Sequence, residues 1–197
     1  MTLERAVAHI SDFPAPVRAA IPCPRGGQFV MSGFPGLETA ISGEAYIDPN
    51  GLSETLEVLM GIDVPLLLVL PEEDELPEGA FACLRERAAK AGIALQFLPI
   101  TDFSVPDEHF MHAWAQIGPD IHARLGAGGA VAACCQYGAG RSGLVAALLL
   151  IEQGHTASQA IQTVREHFHE AVESEQQETW LHAYRPLRSA APLGVVG

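Results

Sequence analysis

Residues 131–151 contain two uninterrupted apolar segments joined by a glycine-rich loop. The first, VAACC, has the length of a strand and offers no polar face, and the second, LVAALLLI, is apolar on every side of a helix. Strands buried on both faces are typical of parallel sheets covered by helices, and a helix that is apolar all round must lie inside the domain. This segment therefore predicts an α/β fold in which a central strand leads through the loop into a central helix.

The rest of the chain alternates between strand and helix patterns. Apolar runs predict strands at 28–32, 44–48, 64–70 and 93–100. Helical spacing and capping residues predict helices at 52–60, 79–91, 107–126, 142–154, 156–169 and 175–184. We therefore expect a single α/β domain with a mostly parallel central sheet of four or five strands flanked by helices.

Domain boundaries follow from composition. Residues 1–27 contain four prolines and a Gly-Gly pair, which predicts an irregular N-terminal segment. The domain itself is expected to span 28–185, and residues 186–197 are expected to form a C-terminal tail. No internal repeat or second domain is apparent, and the length suits one domain.

Charge limits the possible partners. The chain has 24 acidic residues against 11 lysines and arginines, a formal charge of −13, so its surface repels nucleic acid and anionic membranes. We expect neither as a partner, and any anion must be bound by a local site. The N-terminus lacks a signal-peptide layout and the apolar runs are too short to span a bilayer, so a cytoplasmic location is expected.

Nothing in the sequence indicates a metal or an organic cofactor. The four cysteines, at 23, 83, 134 and 135, have neither the spacing of a zinc site nor that of a disulfide framework, so free thiols are expected. The histidines at 167 and 169 diverge on a helix, and no ligand motif is present. The acidic run PEEDELPE at 71–78 is predicted to be a solvated loop.

The glycine-rich loop is suited to binding a phosphate-sized anion. A strand-to-helix turn of this kind directs backbone amides into one concavity at the positive end of the helix. The predicted phosphate-binding residues are Gln136, Tyr137, Gly138, Ala139, Gly140 and Arg141, the last supplying a planar guanidinium that can hold two oxygens. A cysteine at the edge of this loop experiences the same field, which favours its thiolate.

Spacing identifies Cys135 rather than Cys134 as the nucleophile. Cys135, five residues, Arg141 and Ser142 form a CX5R[S/T] signature, which resembles that of cysteine-dependent phosphatases. With FLPITDFSVPD, ASQAIQTVREHF and EQQETWLHAY, the chain resembles dual-specificity-type protein tyrosine phosphatases, closest to the cyclin-dependent-kinase-associated phosphatase group. The resemblance implies a protein tyrosine phosphatase-like fold and hydrolysis of phosphomonoesters through a phosphocysteine, without a cofactor.

The resemblance also implies roles for residues outside the loop. Asp102 holds the position of the family's general acid, with Asp107 as a rival that fits a helix N-cap better. Gln177 matches a glutamine that positions the hydrolytic water, although Gln176 is adjacent to it. The Ser142 hydroxyl is expected to stabilise the thiolate leaving group.

The sequence departs from the usual family pattern at two places, one of which bears on activity and the other on the substrate. Cys134 stands where most members have His, so activity could be lower or its pH optimum shifted, although no bond-making residue is lost. The variable loop positions 136, 137 and 139 are uncharged, which favours a phosphorylated protein or a small phosphomonoester over an inositol phospholipid. The alternatives are a phosphate- or phosphoprotein-binding pseudophosphatase with little turnover, and sulfur or arsenate chemistry, which the position of the loop far along the chain argues against.

Overall fold

The computed structural model describes residues 16–186. In chain order its elements are β1 (Val17–Pro22), β2 (Gln28–Gly33), β3 (Leu37–Thr39), β4 (Ala45–Ile47), α1 (Pro49–Gly61), β5 (Leu66–Val69), α2 (Ala80–Ala91), β6 (Ala94–Phe97), α3 (Glu108–Gly126), β7 (Ala130–Cys135), α4 (Gly140–Glu152), α5 (Ala157–His167) and α6 (Glu175–Ala183). All the predicted helices are present. The predicted N-terminal segment up to residue 15 and the predicted tail beyond residue 186 lie outside the described residues.

Five strands form the main sheet in the order β1-β2-β7-β5-β6. β1 runs antiparallel to β2, and the other neighbouring pairs are parallel. The predicted mostly parallel α/β architecture is therefore confirmed. Because β7 lies between β2 and β5, the loop that follows it opens at the centre of the sheet's carboxyl edge, where α/β sheets usually place their sites.

Helices cover both faces of the sheet and create two core layers. One layer packs α1 and α2 against the sheet, and the other packs α3, α4, α5 and α6 against the opposite face. α4 is buried from Gly140 to Ile151, as expected of a helix that is apolar on all sides. The small side chains of β7 leave room for this central helix, which fixes the start of α4 firmly beneath the loop.

The prediction that residues 1–27 are irregular is wrong for Val17–Pro22, which form the edge strand β1. Val17, Ala19, Ala20 and Ile21 are buried, and this apolar content outweighs the nearby prolines. Proline is tolerated at the ends of an edge strand, where a missing amide removes no central ladder bond. We therefore propose that the domain begins at β1 rather than at residue 28.

The strand predicted at 44–48 is present but lies outside the main sheet. It forms β4 and pairs antiparallel with β3 in a separate two-stranded hairpin, in which Leu37 faces Ile47. This hairpin leads into α1, whose N-cap Asp48 accepts from the amide of Gly51 at 2.8 Å. Period-two patterning indicates a strand, but it does not indicate which strand pairs with it.

Glu152, at the last turn of α4, carries a partly buried charge far along the helix from the loop. Its carboxylate accepts hydrogen bonds from Trp114 Nε1 at 3.0 Å and Tyr184 OH at 2.6 Å, and His122 Nε2 lies 2.7 Å away. Burial opposes ionisation, but the hydrogen bonds from His122, Tyr184 and Trp114 outweigh it and hold the pKa of Glu152 below its usual value. The group thus ties α3, α4 and the end of α6 together.

We expect Glu152→Gln to lower the free energy of unfolding by about 1–3 kcal/mol at neutral pH, because an amide cannot accept all three bonds. A carboxylate with a depressed pKa stabilises the fold above its unfolded pKa and loses that contribution as the pH falls. The difference between wild type and variant should therefore shrink below the ordinary glutamate value of 4.5. Urea unfolding at several pH values measures it, with Glu57→Gln at an exposed position of α1 as a control. A pH-independent difference for Glu152→Gln would contradict the assignment.

Candidate active site

The loop at 135–141 surrounds the sulfur of Cys135. The amide of Gly138 donates to Cys135 Sγ at 3.1 Å, so the loop turns back over the residue that opens it. Gly138 has φ of 96°, a left-handed conformation that suits glycine. Cys135 is 3% exposed, and its sulfur lies at the base of the loop rather than on the surface.

The loop also packs closely against the end of β2. A Cβ on Gly138 would lie 2.5 Å from the amide nitrogen of Gly33 and 2.6 Å from the carbonyl carbon of Ser32. Phe34 donates its amide to the carbonyl of Gln136 at 3.0 Å. Backbone atoms of Ser32, Gly33 and Phe34 therefore hold the loop in place, and only glycine fits at position 138.

Most of the loop's amides are free to receive a ligand. Five of them donate to no backbone carbonyl within residues 16–186. These are the amides of Gln136, Tyr137, Ala139, Gly140 and Arg141. They precede or begin α4, whose N-terminus adds a partial positive charge. Unpaired amides at a helix N-terminus suit an anion, and phosphate binding by this loop stays a prediction.

Arg141 closes the loop with its guanidinium, although the residue is only 1% exposed. Its Nη1 donates to both carboxylate oxygens of Glu75 at 2.7 Å and to the carbonyl of Ile100 at 3.0 Å. A buried guanidinium requires such compensation, because an unpaired buried charge is very costly. The side chain is thus held in one orientation before any ligand binds.

Asp102 contacts the other terminal nitrogen of the same guanidinium. Its Oδ1 lies 3.0 Å from Arg141 Nη2, and its side chain is 39% exposed, so it lies at the mouth of the loop. The next residue, Phe103, has φ of 54° and is 61% exposed. By contrast, Asp107 accepts from the amide of Phe110 at 2.7 Å and is the N-cap of α3, as its sequence pattern predicted.

Of the two adjacent glutamines, only Gln177 points inward. Gln177 is fully buried, and its Nε2 donates to the carbonyl of Ser104 at 3.4 Å. Its Oε1 is buried without a hydrogen-bond partner within the described part of the chain. An unsatisfied buried acceptor next to the Asp102 loop is suited to holding a water molecule.

The side chain of Tyr137 forms one rim of the loop. It is 52% exposed, lies 4.2 Å beneath the guanidinium of Arg18 on β1, and donates its hydroxyl to Glu170 at 2.9 Å. Arg18 Nε also donates to the carbonyl of Tyr137 at 2.8 Å. The edge strand that the sequence did not indicate therefore supports the rim of the site.

The two neighbouring cysteines lie on opposite faces of the sheet. Cys135 packs in the layer of α4, whereas Cys134 packs in the layer of α1 and α2. Burial raises the pKa of the Cys134 thiol, and the neighbouring Cys135 raises it further. Cys134 is therefore a protonated core residue, and Cys135 alone faces the anion site.

The sequence that builds this site matches a known domain family. Residues 45–191 match the family described as "PTP-SAK: Swiss Army Knife protein, DSP-PTPase phosphatase domain". The chain belongs to this phosphatase family. It is a cysteine-dependent phosphatase of the protein tyrosine and dual-specificity type, and the resemblance predicted from the sequence is confirmed.

Solved phosphatase structures share its fold. Kinase associated phosphatase is 21% identical, with a TM-score of 0.70 over 88% of this chain and 96% of that chain. Tk-PTP in its active form is 26% identical, with a TM-score of 0.58 over 85% and 98%. PTPMT1 in complex with PI(5)P is 17% identical, with a TM-score of 0.58 over 83% and 92%. No curated protein matches the chain.

Sequence reasoning missed Glu75 of this phosphatase. The acidic run at 71–78 was predicted to be a solvated loop, and Glu73, Asp74 and Glu78 are indeed exposed. Glu75, however, ends a short 3₁₀ helix and turns a side chain that is 13% exposed onto Arg141. Glu75 could have been predicted from a physical argument. A buried arginine needs a carboxylate partner, and the acidic run directly follows a strand predicted to be buried, so it ends near the same edge of the sheet.

Ser142 differs from its predicted contact. Its hydroxyl is fully buried and donates to the carbonyl of Ser32 at 3.4 Å, so here it braces the loop against β2. A role in stabilising the Cys135 thiolate therefore remains a prediction. No cluster of three or more His, Cys, Asp or Glu side chains within residues 16–186 could hold a metal ion. In the same stretch, no helix has the length and apolar character needed to cross a bilayer.

Gly138→Ala should reduce kcat/KM on an aryl phosphate by about 100-fold, because the new methyl group must push the loop away from β2. Gly154→Ala is the matched control: Gly154 also has positive φ, 111°, but a Cβ there meets nothing within 4 Å. The control should lose stability through backbone strain while keeping its turnover. Thermal unfolding and steady-state kinetics separate the two effects, and equal activity in both variants would contradict this account of the loop.

Proposed function

We propose that this phosphatase hydrolyses phosphomonoesters of proteins or small molecules through a phosphocysteine formed on Cys135. The observation that carries the proposal is the loop itself. Its amides are free, one of them already donates to Cys135 Sγ, and Arg141 is held at its end by Glu75. This arrangement presents a nucleophile directly beneath a site for three phosphoryl oxygens.

In the first step, the phosphoryl group of the substrate binds to the loop amides and to Arg141. To reach Arg141 Nη2 it takes the place that Asp102 Oδ1 occupies at 3.0 Å. After leaving its ion pair, Asp102 takes up a proton from solvent. The Cys135 thiolate then attacks phosphorus, the bond from phosphorus to the leaving oxygen breaks, and Asp102 transfers its proton to that oxygen. Substrate binding therefore releases the acid from its ion pair when the acid is needed.

In the second step, water attacks the phosphocysteine and the phosphorus–sulfur bond breaks. The proton of the water goes to the Asp102 carboxylate, and the electron pair returns to sulfur as the thiolate. The unpaired Oε1 of Gln177 supports a role in orienting this water, since it is a buried acceptor next to the Asp102 loop. Ser142, on the buried side of the loop, is proposed to steady the thiolate. These steps require no metal or organic cofactor.

Phosphorylated substrates follow from the family, and we propose a phosphoprotein or small phosphomonoester rather than an inositol phospholipid. PTPMT1 shares the fold and binds PI(5)P, but at 17% identity that ligand is not transferred to this chain. Here the variable loop side chains are uncharged, and Asp102 and Glu170 stand at the mouth. With a net charge of −13, the surface opposes anionic membranes and nucleic acid.

We also propose that the protein acts in a reducing compartment such as the cytoplasm. All four cysteines are free, and Cys135 must remain a thiol to act as the nucleophile. A pseudophosphatase with little turnover finds no support, because the proposed nucleophile, arginine and acid are present together at one loop.

Cys135→Ser should lower turnover of an aryl phosphate by roughly 10⁴-fold or more, because a hydroxyl is a far weaker nucleophile at neutral pH. Phosphate should still bind, since the amides and Arg141 remain. Cys134→Ser is the control: it changes the neighbouring residue on the other face of the sheet and should keep measurable turnover. Full activity in Cys135→Ser would rule out the proposed mechanism.

Asp102→Asn should slow hydrolysis of an alkyl phosphate by about 10²–10⁴-fold and that of a nitrophenyl phosphate much less, because only a basic leaving oxygen needs a proton. Asp107→Asn is the matched control, since asparagine also caps a helix and the fold should be kept. The ratio of kcat/KM for the two substrates gives the answer. Equal slowing of both substrates by Asp102→Asn would remove Asp102 from the role of general acid.

A further inference from the structure

Glu173 lies beside the phosphate loop, on the segment that joins α5 to α6. Its carboxyl group occupies the space above Gly140, where a Cβ would collide with Oε1 and would lie 2.8 Å from Cγ. Gly140 is also the first residue of α4, so this carboxyl lies against the positive end of the helix. The two-step mechanism does not use this group.

The backbone around Glu173 is tightly fixed. Arg165 donates to the carbonyls of Ala171 at 3.0 Å and Val172 at 2.7 Å. A Cβ on Gly143 would lie 2.8 Å from the Cβ of Ala171, so this segment packs directly on α4. Val172 has φ of 55°, which is unusual for a β-branched residue and persists only where the surroundings impose it.

The same segment is connected to the loop that carries Asp102. Ser174 Oγ donates to the carbonyl of Phe103 at 3.5 Å. Ser174 directly follows Glu173 in the chain, and Phe103 directly follows Asp102. The segment that carries Glu173 and the loop that carries Asp102 are therefore joined beside the phosphate loop, and the two carboxyl groups are close enough to influence each other. Gly140, a residue of this loop, has no side chain that would keep Glu173 away.

The surroundings of Glu173 shift its titration towards the neutral form, although the residue is exposed on its solvent side. Partial burial raises the pKa of Glu173, and Asp102 raises it further; Arg141 on α4 lowers it, and Glu170 on the same segment raises it. Glu75 weakens the influence of Arg141 because it already pairs with that guanidinium. A phosphate dianion in the loop adds more negative charge, so the proton is held more strongly when substrate is bound.

We propose that Glu173 is a further substrate-contacting residue, which donates a hydrogen bond to the bound phosphoryl group as a neutral acid and repels that group as a carboxylate. The proposal rests on the phosphate site proposed above and adds to it a requirement for one proton. A glutamine in its place could donate a hydrogen bond at any pH, whereas glutamate can do so only while protonated. Anion binding should therefore weaken as Glu173 ionises.

Sulfate binding to the full-length protein tests this without turnover, because sulfate keeps the same charge between pH 5 and 8. Calorimetric titration of wild type should show the affinity falling with rising pH, by up to about tenfold per unit where one proton must be taken up. Glu173→Gln should bind sulfate with an affinity that falls less steeply with pH than that of wild type, the remaining dependence belonging to Asp102 and Cys135 at the same loop. At pH 8 it should bind more tightly than wild type.

Glu175→Gln is the matched control, since it removes the same charge two residues away, on the first turn of α6. It should keep the pH dependence of wild type. If Glu173→Gln shows the same pH dependence as wild type, the proposal for Glu173 is overturned and the phosphate site stands. If wild type binds no sulfate at any pH, the phosphate site itself is wrong and the proposal for Glu173 is lost with it.

Discussion

The buried guanidinium of Arg141 is the interaction on which the site depends. A cation that is 1% exposed would destabilise the fold strongly without partners. Its partners come from two loops, Glu75 after β5 and both Ile100 and Asp102 after β6. Since β5, β6 and β7 are parallel neighbours, their carboxyl ends meet at one edge, and the sheet order itself brings these groups to the arginine.

The two carboxylates on this arginine have different consequences. Glu75 binds Nη1 with both oxygens and is 13% exposed, so it holds the guanidinium whether or not substrate is present. Asp102 makes a single contact and is three times as exposed, at 39%, so a phosphate oxygen can replace it. In the proposed mechanism the guanidinium stays compensated throughout, and the exchange leaves the fold intact while it frees Asp102 to take up a proton.

Much of the fold could be predicted because the chain's local signals agree with one another. Apolar runs indicated β2, β5, β6 and β7, and Gly92 and Asp107 marked helix ends where the structure places them. β1 was missed because prolines at 14, 16, 22 and 24 suggest an irregular segment, although its burial depends on a partner strand that local sequence does not reveal. The loop could be read because all its residues are contiguous.

Asp102 and Gln177 were predicted only from the family resemblance, and Glu75 and Glu173 were not predicted because they come from segments distant in the sequence. Glu75 and Arg141 are 66 residues apart, and nothing near Glu75 distinguishes it from its exposed acidic neighbours. Glu173 is equally inconspicuous in sequence, since its position depends on the packing of Ala171 against Gly143. Local patterns reveal a motif, whereas the charges that regulate it depend on tertiary packing.

The two loops of the site are held with unequal firmness: the phosphate loop is tightly packed, and the Asp102 loop has fewer and longer contacts. The loop at 135–141 lies between the backbone of β2 and a helix buried from Gly140 to Ile151, so it has little freedom to move. The Asp102 loop is held to α6 by two long hydrogen bonds, 3.4 Å and 3.5 Å, and by a contact with Arg141 that substrate must break. In the proposed mechanism each catalytic cycle must break the contact between Asp102 and Arg141 and form it again, so the rate of this exchange sets a ceiling on turnover that no improvement of the nucleophile can raise.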